Sequence, residues 1–100
     1  MVEKTYEINV WKRAQSGIKK IYDHVYKESP QNAVMVRDKL YDVIDSLETF
    51  PYRFSVFKPV DDGNGFVRSV AVWDFIIVYR IREEKSQIAV TRVFHGARNK

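Results

Sequence analysis

The chain has no cysteine, three prolines and four glycines in 100 residues. Without cysteine, disulfides and thiolate metal sites are excluded, and the fold must be held by packing alone. No run of about 18 apolar residues exists, so no membrane span is expected. The start, MVEKTYEINV, lacks the pattern of a signal peptide, which points to a cytoplasmic protein. Lysine-rich tails, low-complexity tracts and internal repeats are absent too. GxSxG, P-loop and GxGxxG motifs are missing. The two histidines, His24 and His95, lie far apart, with no HExxH spacing and no clustered carboxylates. No metal site and no cofactor are therefore expected.

What is present suits one domain spanning residues 1–100, long enough for a single core without staples. The formal net charge is +4. Residues 1–50 hold eight Lys/Arg against eight Asp/Glu, and residues 51–100 hold nine against five. The excess lies entirely in the second half. A basic surface attracts nucleic acid or an acidic protein partner, while a small excess also suits a merely solvated face.

That second half contains three apolar runs of strand length, Phe66–Val72, Phe75–Ile81 and Ile88–Phe94. They are joined by Trp73-Asp74 and by Glu83-Glu84-Lys85-Ser86, too short for a parallel crossover, so the strands form an antiparallel meander. Phe75 to Val78 is continuously apolar, as in a centre strand. The flanking runs alternate, which groups Phe66, Arg68, Val70 and Val72 on one face and Ile88, Val90, Arg92 and Phe94 on another.

Earlier in the chain, Tyr6, Ile8 and Val10 alternate with Thr5, Glu7 and Asn9, a half-buried first strand. From Trp11 the period changes. Trp11, Ala14, Ile18, Ile21, Tyr22 and Val25 form the stripe of an amphipathic helix, opposite Lys12, Arg13, Lys19, Lys20 and Lys27. Gly17 inside it costs about 1 kcal/mol of helix propensity and marks a close approach by another element. Ser29-Pro30 ends that helix and starts the next, with Ser29 as cap and Pro30 at the first position. Ala33, Val36, Leu40, Ile44 and Leu47 make the second stripe, which stops near Phe50-Pro51. Residues 51–65 read as an irregular loop with a turn at Asp62-Gly63-Asn64-Gly65. The expected order is β-α-α-β-β-β: an α+β fold, an antiparallel sheet with an N-terminal helical hairpin packed on one face.

Candidate chemistry is an arginine set, Arg68, Arg80, Arg82, Arg92 and Arg98, together with His95. His24, alone on the first helix, reads as solvated or structural. Arg68 and Arg92 stand among apolar residues. Such an arginine snorkels at a sheet edge, pairs with a neighbour, or makes a bidentate contact to phosphate or carboxylate.

The element order, the segment SPQNAVMVRDKLYDVIDSLETFP, the core VRSVAVWDFIIVYRI and the ending VTRVFHGARN together resemble the RelE/ParE superfamily of type II toxins, over nearly the whole chain. The resemblance implies a small cytoplasmic toxin neutralised by a cognate antitoxin, ParD-like or RelB-like, whose C-terminal segment wraps the toxin. Within the superfamily, RelE-like members cleave ribosome-bound mRNA and ParE-like members poison DNA gyrase. Arg68 matches the strand arginine common to both branches. The ending His95-Gly96-Ala97-Arg98 resembles the ParE branch, no tyrosine follows Arg98, and Lys58 is the one lysine in the long loop. The expectation is a ParE-like toxin that touches its target through Arg68, Arg80, Arg92, His95 and Arg98, with gyrase as target. The alternative is a RelE-like mRNA endonuclease acting on the ribosome, with Arg68, His95 and Arg98 as its catalytic set. A degenerate module that only binds an antitoxin is a third reading.

Overall fold

The structure, a computed structural model, describes residues 4–96. Its elements are β1 (Glu7–Val10), α1 (Lys12–Tyr26), α2 (Pro30–Ser46), β2 (Ser55–Val56), β3 (Val67–Val72), β4 (Phe75–Arg82) and β5 (Gln87–His95), with 3-10 turns at Pro51–Arg53 and Glu83–Lys85. Ser29 caps α2 as expected. Its hydroxyl accepts from the Asn32 N–H at 3.2 Å, and Pro30 opens the helix. The helix ends four residues earlier than Phe50, because Leu47 closes its last turn and Phe50 is left-handed (φ 53°).

The strands form one sheet in the order β1-β5-β4-β3-β2. The β3-β4-β5 meander is present, but the sheet is mixed rather than antiparallel, because β1 pairs with β5 in parallel. The helical hairpin carries the chain from β1 to the far edge of the sheet, and the antiparallel run β2-β3-β4-β5 then brings β5 back beside β1 in the same direction. The two-residue β2, inside what reads as loop, extends the far edge by pairing with Arg68 and Ser69 of β3. Both helices lie on one face. Ile18, Ile21, Leu40 and Ile44 are buried there with Ile77, Tyr79, Ile81, Ile88 and Val90.

Strict alternation fails in β5. Tyr79 pairs with Val90 and Val78 with Arg92, leaving Thr91 as an extra residue. A bulge of this kind resets which face each later side chain takes. Val93 and His95 therefore join Ile88 and Val90 under the helices, opposite Ile77 and Phe75, while Arg92 and Phe94 turn to the open face. The sequence grouping of Arg92 and Phe94 with Ile88 and Val90 is corrected accordingly.

Gly17 is the close approach that its position in α1 suggests. A Cβ there would lie 2.0 Å from the Val93 carbonyl oxygen. Since β1 pairs with β5 only as far as Val90, α1 covers the strand edge that β1 leaves open.

Candidate functional site

At the end of the sheet where β1 begins and β4 finishes, polar groups are tied to one another. The Arg68 guanidinium donates to the Gly65 carbonyl at 2.8 Å and to those of Tyr52 and Phe54 at 2.9 and 2.7 Å. It also lies 5.1 Å from the centre of the Tyr52 ring. The Tyr52 hydroxyl donates to the Glu83 carboxylate, which also accepts from Tyr6 at 3.0 Å and Lys4 at 2.6 Å. Lys4 and Tyr52 hold the Glu83 carboxyl below its usual range. Burial, then the hydrogen bond to Glu83, pushes the Tyr52 hydroxyl up. Beneath this knot the Tyr79 hydroxyl donates to the Pro51 carbonyl at 2.6 Å, and burial pushes it up to about 12. In the adjoining loop Asp61, which the turn reading passed over, accepts from the Gly63, Gly65 and Val67 N–H groups. Those bonds keep its carboxyl below the ordinary value.

The opposite end is open. Between α1 and residues 92–95 of β5 lies a groove of about 590 Å³. Arg13 and Lys20 stand on its helical wall and Arg92 on its strand wall, over a floor that includes Ile21, Phe75, Val93 and Phe94. The Arg92 guanidinium sits 4.5 Å from the Phe94 ring centre. Phe75 meets His95 edge-on at 5.4 Å, and the buried His95 Nδ1 has no hydrogen-bond partner among the described residues. Among the described residues, Arg13, Lys20 and Arg92 form no ion pair, and Glu28 is the one acidic side chain that lines the groove.

The expected site residues divide between these places. Arg68 and His95 share the helix face but sit at opposite ends of it, facing Tyr79 and Phe75 on β4. Four residues of strand separate those partners, about 13 Å, so the two do not converge on one phosphate. Arg80 and Arg92 share the open face, Arg80 exposed and opposite Ala89, Arg92 opposite Val78. Arg82 lies 3.7 Å from Glu84. His24 is exposed on α1 and lines the groove. Arg98 lies outside the described residues. Arg13 and Lys20 were missed as site residues. Their seven-residue spacing is the available signal, since it puts both on one line of a helix. Among the described residues, no group of three or more His, Asp or Glu side chains could hold a metal ion.

A helical hairpin thus lies on one face of a mixed sheet, with a basic groove between its first helix and the last strand. The sequence matches the family described as ParE toxin of type II toxin-antitoxin system, parDE, over residues 8–100. The chain belongs to that family and is a ParE-like toxin of a type II toxin–antitoxin system. Among solved structures, it resembles a chain of the chromosomal ParDE system of P. aeruginosa (TM-score 0.74, 18% identity, covering 92% of this chain and 97% of that one). It also resembles a chain of the RelBE2 toxin–antitoxin complex of Mycobacterium tuberculosis (TM-score 0.62, 19% identity, 94% and 97% covered). A third likeness is a variant of the E. coli RelE toxin in its free state (TM-score 0.65, 15% identity, 95% and 87% covered). No curated protein matches the chain by sequence.

Proposed function

We propose that this toxin acts in the cytoplasm by inhibiting DNA gyrase, and that a cognate ParD-like antitoxin neutralises it by covering its sheet and groove. The observation that carries the reading is the ParE family match over residues 8–100. The geometry is in keeping with it. Cleaving RNA needs an acid/base group and phosphate-stabilising cations at one point. Arg68 and His95 lie apart, and the guanidinium of Arg68 is taken up by three backbone carbonyls. A gyrase poison needs a shaped, positively charged surface instead.

The test is a gyrase supercoiling assay run beside primer extension on translating mRNA. Inhibition of supercoiling or trapping of cleaved DNA is expected, with mRNA intact and with His95→Ala retaining most activity. Codon-specific mRNA cuts that vanish in His95→Ala, with gyrase unaffected, would turn the assignment to the endonuclease.

A further inference from the structure

The β3–β4 hairpin is closed by the two residues Trp73-Asp74, since Val72 pairs with Phe75. The two-residue turns that match strand twist need a positive φ at their first central position, where glycine, asparagine or aspartate normally sits. Here that position is a tryptophan with φ 54°, and the residue is 56% exposed. A bulky side chain in left-handed backbone is strained, and exposure means that core packing does not hold it there. The tip adjoins the groove between α1 and β5. The Asp74 carbonyl accepts from the Gly96 N–H at 2.8 Å, and Phe75, two residues on, packs against His95 in the floor.

We propose that the Trp73 tip and the cationic groove form one binding face for a single strand of nucleic acid. Arg13, Lys20 and Arg92 would hold phosphates, and the indole would stack on a base. The inference deepens the gyrase reading, and rests on it for biological context, by placing the toxin itself on the DNA of its target complex. Cations on both walls, an arginine stacked on Phe94 and an exposed indole are the combination that holds single strands without reading their sequence. An acidic peptide would use the cations but has no need of a flat aromatic surface. At about 590 Å³ the groove is of small-ligand size, fit for a nucleotide or two rather than a duplex.

The test is fluorescence anisotropy of the purified full chain with a short fluorescein-labelled oligothymidylate, titrated against salt and competed with poly-glutamate. Trp73→Gly should weaken binding about 5- to 150-fold, the range for losing one base–aromatic stack. Its melting temperature should be unchanged or higher, because glycine suits the left-handed backbone. Trp73→Phe should recover most of the affinity. Arg92→Ala and Lys20→Ala should each reduce the slope of log affinity against log salt by about 0.7. Unchanged binding in Trp73→Gly, or unchanged slopes in both cation variants, overturns the proposal. Equal competition by poly-glutamate also overturns it and assigns the groove to an acidic protein partner. Oligothymidylate binding without gyrase inhibition upholds the groove and removes the gyrase reading. Gyrase inhibition without oligothymidylate binding does the reverse.

Discussion

Tyr79 and Gly17 show how single residues set the fold's tolerances. The Tyr79 hydroxyl, on a fully buried side chain, keeps its proton so that it can donate to the Pro51 carbonyl. Its folded pKa of about 12 stands above the ordinary 10.0. The stability it lends is therefore complete below pH 10 and is lost as pH rises from there toward 12. Tyr79→Phe should cost about 1–3 kcal/mol at neutral pH, because the buried carbonyl loses its donor. It should also flatten the alkaline limb of urea midpoints measured against pH. Gly17 poses the opposite case. Helix propensity alone favours alanine there by about 1 kcal/mol. Yet the added methyl would meet the Val93 carbonyl oxygen at 2.0 Å, and backbone cannot move aside cheaply. Gly17→Ala should therefore lower stability, by about 1–3 kcal/mol on the scale of overpacked cores. Urea unfolding would expose the error if the variant came out more stable.

Among the elements, both helices of the hairpin bury apolar side chains against the sheet, and α2 does so through Leu40 and Ile44. Leu40 and Ile44 are fully buried between it and the sheet. Either one changed to alanine should destabilise the protein by about 2–5 kcal/mol. A loss under about 0.5 kcal/mol at both positions would contradict the packing described. The connections depend on Glu83 rather than on the core. Its carboxylate joins Lys4 and Tyr6 near β1 to Tyr52 in the loop before β2. The carboxyl's folded pKa lies below the ordinary 4.5. Its contribution is present above that value and lost as pH falls through the folded pKa. Wild-type stability should fall more steeply than that of Glu83→Gln on acidification below pH 4.5. Parallel acid titrations followed by circular dichroism would show it.

For the whole molecule, the uneven charge now has a place. The excess of basic residues after residue 50 supplies Arg92 to the groove, and α1 supplies Arg13 and Lys20 although its own half of the chain is neutral. A cognate antitoxin, expected to be encoded beside the toxin gene, should form a stoichiometric complex with it on co-expression and restore growth. Co-purification no better than with an unrelated protein would count against that partnership.

Several features were legible in the sequence because they rest on local rules. The stripes of α1 and α2, the Ser29-Pro30 break, the β3-β4-β5 meander and the tight approach at Gly17 all follow from periodicity, capping and turn length. The RelE/ParE likeness was legible in the order of those elements and in the ending His95-Gly96-Ala97-Arg98. Tertiary structure alone decided the rest. Whether β1 runs parallel to β5 depends on where a long helical connection delivers the chain, and local pattern does not encode that. A single extra residue at Thr91 sent Arg92 and Phe94 to the open face, because a strand's period of two lets one insertion reverse every later side chain. Arg68 was readable as an arginine among apolar residues, but the carbonyls of Tyr52, Phe54 and Gly65 that engage it gather only when the loop folds over β3. The groove is non-local in the same way, since its walls come from opposite ends of the chain and meet only where α1 crosses the end of β5.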